Sequence, residues 1–163
     1  MIIVIIVLVI SLVLFIYNIY HDKLALSYIK LYNIEEKINS TLVKRKELIK
    51  DAESKIKEII KTDKVIFENF KEIDNNNDMF DLNKKLLLSI NDFYVIKDKY
   101  KKLQNNTDFQ KICFSIDETG DLLNSYKKYY DKEALEYNKL IKSLPLFFVS
   151  LITRKKEKKL FKD

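Results

Sequence analysis

Few side chains in this chain combine the types and spacings that chemistry needs. The single cysteine, Cys113, has no second thiol for a disulfide, and the single histidine is His21. With no other histidine, there is no imidazole to serve as general base for Cys113 or for a serine. The Glu-x-x-His pairs by which helical bundles hold iron or manganese are absent as well. Cys113 lies between Ile112 and Phe114 on an apolar seam, which makes it a structural thiol. Asp117, Glu118 and Asp121 form an acidic cluster that resembles paired catalytic carboxylates. A structural role is the better reading, because a seam position elsewhere in the chain carries a lone arginine, Arg45, that needs a partner. No glycine-rich phosphate loop, metal-binding cysteine pattern or nucleophile elbow is present in the sequence. No catalytic residue, metal ligand or cofactor is therefore assigned, and the protein is read as non-enzymatic.

The elements that carry these residues follow from composition. Gly120 and Pro145 are the only glycine and proline among 163 residues, and turns and hairpins depend on both, so the expected class is all-α. Residues 2–17 contain one polar residue, Ser11, and Ile19 and Tyr20 extend the run to about 19 residues, roughly 28 Å of helix. No basic residue precedes it and no small-residue cleavage site follows it, so it reads as a permanent single-pass anchor. Tyr17 and Tyr20 suit the membrane interface, and Lys23 and Lys30 behind them favour a cytoplasmic C-terminus.

Beyond the anchor, apolar residues recur at helical spacing through Leu31, Ile34, Ile38, Leu42, Ile49, Ala52 and Ile56. This stretch is one very long helix or two, with Asp63 able to cap a second. The polar run from Asp74 to Asp78 is a loop, residues 79–103 form a helix, and Thr107 or Asp108 caps a last helix. The seam of that helix runs Phe109, Cys113, Ile116, Gly120, Leu123, Lys127, Tyr130, Ala134, Tyr137, Ile141 and Leu144 in steps of three and four. Short polar connections predict an antiparallel up-and-down bundle of four helices, the second one short or merged with the first. The expected division is an anchor at 1–21, a helical bundle at 22–144 and a tail at 145–163. If Leu24 is level with Leu144, Arg45 comes level with Leu123, so Arg45 is expected to pair with Asp117, Glu118 or Asp121 and fix helix register.

Net charge is +6, and the last ten residues alone carry Arg154, Lys155, Lys156, Lys158, Lys159 and Lys162 against Glu157 and Asp163. Elsewhere Lys and Glu mix along the helices, the pattern of a solvated face, so nucleic acid is not an expected partner. The six basic tail residues, behind the apolar segment 146–152, are candidates for contact with anionic headgroups. The alternative is an apolar cap on the bundle end followed by a solvated tail.

Several positions, in order and spacing, resemble the LemA family of bacterial membrane proteins. They are Tyr32–Asn33, then Lys44, Arg45, Glu47, Leu48 and Ile49, then Tyr100, Leu103, Asn106 and Phe109 in the pattern Y-x-x-L-x-x-N-x-x-F. Thr119, Tyr130, Tyr137–Asn138, Pro145 and Leu160–Phe161 complete the set. Lys50 departs from the family's usual proline, Gly120 from its acidic residue, and the region around 62–78 is shortened. The resemblance implies an N-terminally anchored four-helix bundle without established enzymatic activity, some relatives being linked to membrane or compartment biogenesis. Two functions follow as expectations. One is a scaffold at the bacterial cytoplasmic membrane that contacts an unidentified membrane or cytoplasmic protein, or a second copy of itself. The other is a protein that acts on the lipid bilayer through the anchor and the basic tail. For the cytoplasmic placement, protease added to inverted membrane vesicles is expected to remove the tail, and protection there would reverse the topology.

Overall fold

The computed structural model describes residues 1–62, 66–67, 78–143 and 155–162. Four helices are present among them, α1 (Ile2–Ile60), α2 (Met79–Lys99), α3 (Lys101–Gln104) and α4 (Thr107–Lys142), and no strand. The long first stretch is thus a single helix up to Ile60. Asp63, most of the 74–78 loop, Leu144, Pro145, the segment 146–152 and Arg154 lie outside the described residues.

The first 19 residues of the chain are exposed throughout; the most apolar 18-residue window of α1 has mean hydropathy 3.2 and none of it is buried. A helix that is apolar on every side and covered by no protein fits a hydrocarbon environment. From Leu24 onward only one stripe of α1 is buried, including Leu31, Ile34, Ile38, Leu42, Ile49, Ala52 and Ile56. Each fully covered Leu or Ile contributes roughly 1.5–3 kcal/mol, more than the roughly 0.5 kcal/mol by which isoleucine disfavours a helix. The seam therefore decides the conformation. α1 stops at Lys61, whose φ of 58° is left-handed, and the Thr62 N–H donates to the Lys57 carbonyl at 3.2 Å. This is a Schellman closure made without glycine, which costs about 1 kcal/mol in backbone strain.

The helix expected over 79–103 is interrupted. Asp78 caps its start by accepting from the Phe80 N–H at 3.1 Å, but Tyr100 is extended at φ −116°, ψ 100°, and separates α2 from the one-turn α3. Leu103, fully buried, anchors that corner, and the Gln104 side-chain amide donates to the Lys97 carbonyl freed by the break. The cap of α4 is Asn106, rather than Thr107 or Asp108. Its side-chain oxygen accepts from the Phe109 N–H at 2.9 Å, three residues on, while Thr107 and Asp108 are exposed. The pattern Y-x-x-L-x-x-N-x-x-F is thereby one structural device, with a break at Tyr100, an anchor at Leu103, a cap at Asn106 and a buried Phe109.

The chain forms two compact units, the first from 1–35 with 127–163 and the second from 36–126. In the second unit, α1 and α4 are antiparallel: Lys37 lies over the Tyr126 ring at 5.9 Å, and Arg45 meets Thr119 at 3.0 Å. Phe93 of α2 packs on Phe109 with ring centroids 5.3 Å apart. In the first unit, Tyr28 faces Tyr137 at 6.5 Å and Lys30 lies 3.8 Å from Glu133, again antiparallel. Replacing Asn106 by Ala is expected to lower stability by about 1 kcal/mol, and replacing Thr107 by Ala to change it by less than about 0.5 kcal/mol. Urea titration of the full chain in detergent, followed by far-UV circular dichroism, checks both; equal losses would return the cap to Thr107.

Candidate functional site

In the second unit, Arg45 is buried at 6% exposure and its guanidinium reaches α4. Nη1 donates to the Ile116 carbonyl at 2.7 Å and to the Thr119 hydroxyl at 3.0 Å. Thr119 in turn donates back to the Ser115 carbonyl at 2.7 Å. Arg45 is thus level with Thr119 rather than Leu123, about one helical turn from the expected register. Its hydrogen bonds go to a carbonyl and a hydroxyl instead of to the expected carboxylates. Asp117, Glu118 and Asp121 are all exposed. Asp117 attracts Arg45 at longer range, and its carboxylate accepts a hydrogen bond from the Tyr94 hydroxyl of α2. Burial lowers the Arg45 pKa from its ordinary value, with Tyr94 and Asp117 opposing. Burial first, and then the bond to Asp117, push the Tyr94 phenol well above its ordinary range. An unbroken sequence of contacts therefore runs from α1 through α4 to α2.

Gly120 belongs to this arrangement. A Cβ there would lie 3.0 Å from Arg45 Nη1, a tight contact that the guanidinium would have to relieve by shifting a few tenths of an ångström. Next to Asp117 the same face opens into a concavity of about 500 Å³, whose lining includes Lys97, Asp98, Phe109, Cys113 and Phe114. The thiol of Cys113 is 6% exposed and burial pushes its pKa up, which suits a packing role better than a nucleophilic one. Phe114 beside it is 69% exposed.

In the first unit the tail is docked rather than free. The Asn138 side chain accepts from the Lys158 N–H and donates to the Lys158 carbonyl, both at 2.8 Å, so one amide holds the backbone of an extended segment at both its polar groups. The Phe161 N–H donates to Asp131 at 2.8 Å, and the Phe161 ring meets Tyr130 edge-on at 5.5 Å with Lys127 over its face at 5.3 Å. Lys158 Nζ pairs with Glu35 at 2.8 Å, and Lys142 with Glu157 at 2.9 Å. The Tyr130 phenol is pushed well above its ordinary range by burial first, then by the charges of Glu35 and Asp131 and a hydrogen bond to Glu35.

A model of the LemA family matches residues 35–163, most of the chain. The chain belongs to the LemA family. No curated protein and no solved structure matches it. LemA membership and the apolar N-terminal helix together fit a membrane-anchored protein. In this LemA chain, the positions that carried the resemblance hold the frame together: Thr119 takes Arg45, Asn106 caps α4, and Asn138 and Phe161 fasten the tail.

Of the six tail cations expected at a membrane surface, Lys158 is engaged by Glu35 and Lys155 lies 4.2 Å over the Tyr28 ring. Lys156, Lys159 and Lys162 are exposed, and Arg154 is outside the described residues. Sequence reading missed Asp131 and Glu133, buried on α4 at 4% and 7% exposure. A signal for Asp131 existed, since Asp131 and Asn138 sit seven residues apart, two turns along one edge of the seam.

Replacing Gly120 by Ala would ordinarily gain about 1 kcal/mol in a helix interior. Here the gain is expected to fall short, because two hydrogen bonds hold the guanidinium against the new methyl, and to return in an Arg45→Lys background. A double-mutant cycle in chemical denaturation reads the coupling; equal gains in both backgrounds would mean that the guanidinium lies elsewhere.

Proposed function

We propose that this LemA protein is a non-enzymatic scaffold of the bacterial cytoplasmic membrane, tethered by α1, with its helical units in the cytoplasm, holding a protein partner at the concavity of the second unit. The observation that carries this reading is Phe114. An aromatic ring left 69% exposed beside a depression lined by Phe109 and Cys113 forgoes much of its burial energy unless something covers it. The charges around it have both signs, Lys97, Asp98 and Asp117, which is how the rim of a protein contact is built and not how a nucleic-acid surface is built. The partner of this chemistry is a protein surface that offers an apolar side chain to Phe114 inside a polar ring. The non-enzymatic reading is supported by the lone histidine, His21, and by a thiol whose burial favours the protonated form.

The alternative is action on the bilayer through the anchor and the basic tail, of whose lysines Lys158 is paired with Glu35 while Lys155 lies over the Tyr28 ring and Lys156 is exposed. The test is site-specific photocrosslinking in native membranes. A crosslinker at Gln110 is expected to give one discrete protein adduct that is lost when Phe114→Asp is added, whereas a crosslinker at exposed Leu135 of the first unit gives none of that adduct. An adduct with a second copy of the chain would make the scaffold homotypic. An adduct insensitive to Phe114→Asp, or none, overturns the reading.

A further inference from the structure

The first unit contains a second concavity, of about 170 Å³, just past the apolar stretch of α1. His21, Leu24, Ala25, Tyr28 and Ile29 line it from α1, and Lys155 of the docked tail lines it from the other side. Counted from Tyr20, residues 21–29 extend from about 1.5 to about 13 Å along the helix. Polar headgroups occupy roughly the first 5–8 Å beyond the hydrocarbon core, so the pocket mouth lies at headgroup depth when residues 2–20 span the bilayer.

Its chemistry is mixed in a particular way. Leu24, Ala25 and Ile29 make an apolar wall. The Lys155 ammonium lies 4.2 Å from the centroid of the Tyr28 ring, half-buried, and has no carboxylate at salt-bridge distance among the described residues. Its neighbours differ: Lys158 is neutralised by Glu35 and Lys142 by Glu157. Asp22, beside His21 in the sequence, lies 3.6 Å from the imidazole with its side chain 80% exposed to solvent. One cation without a counter-charge, an imidazole that can donate, and an apolar floor are what a phosphodiester at a membrane surface requires.

We propose that this pocket binds the phosphate of an anionic phospholipid, with Lys155 as its charge partner, His21 as a second donor, and the acyl chains lying along the exposed apolar surface of α1. The volume admits a phosphate and part of a glycerol but not a whole lipid, which leaves the tails in the bilayer. This site is independent of the protein-binding surface of the second unit and rests only on α1 spanning the membrane.

The test uses the full chain in detergent, titrated with phosphatidylglycerol or phosphatidylcholine and read by native mass spectrometry. One phosphatidylglycerol is expected to bind in preference to phosphatidylcholine. Lys155→Gln is expected to weaken it about fivefold, and Lys156→Gln, the same charge change on an exposed neighbour, by less than about twofold. Ala25→Leu fills the pocket without altering charge and replaces none of Asn138, Asp131 and Glu35, which hold the tail; it too is expected to weaken binding, which keeps the test valid if Lys155→Gln loosens the tail. Equal losses for Lys155→Gln and Lys156→Gln would reduce the effect to diffuse surface charge and overturn the site. Equal binding of the two lipids, or displacement of the lipid by inorganic phosphate at similar concentration, would overturn it as a lipid site.

Discussion

A guanidinium buried between two helices is tolerated only if its donors find acceptors, and in the second unit Arg45 determines how the rest must be arranged. The acceptors are the Ile116 carbonyl and the Thr119 hydroxyl. Both belong to one turn of α4, so the two helices have one register in which Arg45 is satisfied; a slip by one turn would leave a charge opposite Leu123. Gly120 lies against the same group, since a Cβ there would come within 3.0 Å of the guanidinium. Asp117 then acts from a distance on Arg45 while it holds Tyr94, so α2 is tied to the same turn of α4. The positive charge is thus kept by a carbonyl dipole, a hydroxyl and a remote carboxylate, an arrangement that avoids desolvating a second full charge.

The first unit solves a different problem. An extended segment has backbone polar groups that no helix ladder satisfies, and in water it would stay solvated. Here two side chains of α4 supply the partners: Asn138 offers a donor and an acceptor to Lys158, and Asp131 offers an acceptor to Phe161. Burying Asp131 is acceptable because the N–H it receives is strongly polarised by the charge, and Glu35 is balanced by Lys158. The consequence is functional. Tail lysines that sequence alone presents as a uniform polybasic stretch become individually distinct: Lys158 is paired with Glu35, Lys155 lies closest over the Tyr28 ring, and Lys156, Lys159 and Lys162 are exposed.

These two arrangements separate the regions of the chain that face different surroundings. The apolar start of α1 is matched to lipid, the first unit carries the docked tail and a small cationic pocket, and the second unit carries an exposed aromatic beside a concavity.

The amino-acid order by itself determined the helical class, the apolar N-terminal helix and the LemA relationship, because each is a local or cumulative property. Scarcity of glycine and proline favours helices over a β-rich fold, an uninterrupted apolar run suits a hydrocarbon environment, and family positions are read one at a time. It also marked Arg45 as a seam charge in need of a partner, but named the carboxylates of Asp117, Glu118 and Asp121, whereas its hydrogen bonds go to the Ile116 carbonyl and the Thr119 hydroxyl. Only the tertiary structure decided which atoms those partners are, because a four-residue slip changes nothing in the hydrophobic pattern while it exchanges every polar contact across the seam. The same holds for the break at Tyr100, where no helix-breaking residue stands and the burial of Leu103 favours the corner, and for the tail, whose fixed course depends on Asn138 and Asp131 being presented by a helix far from it in sequence. Periodicity specifies which face is buried; it carries no information about which polar atom waits on the other side.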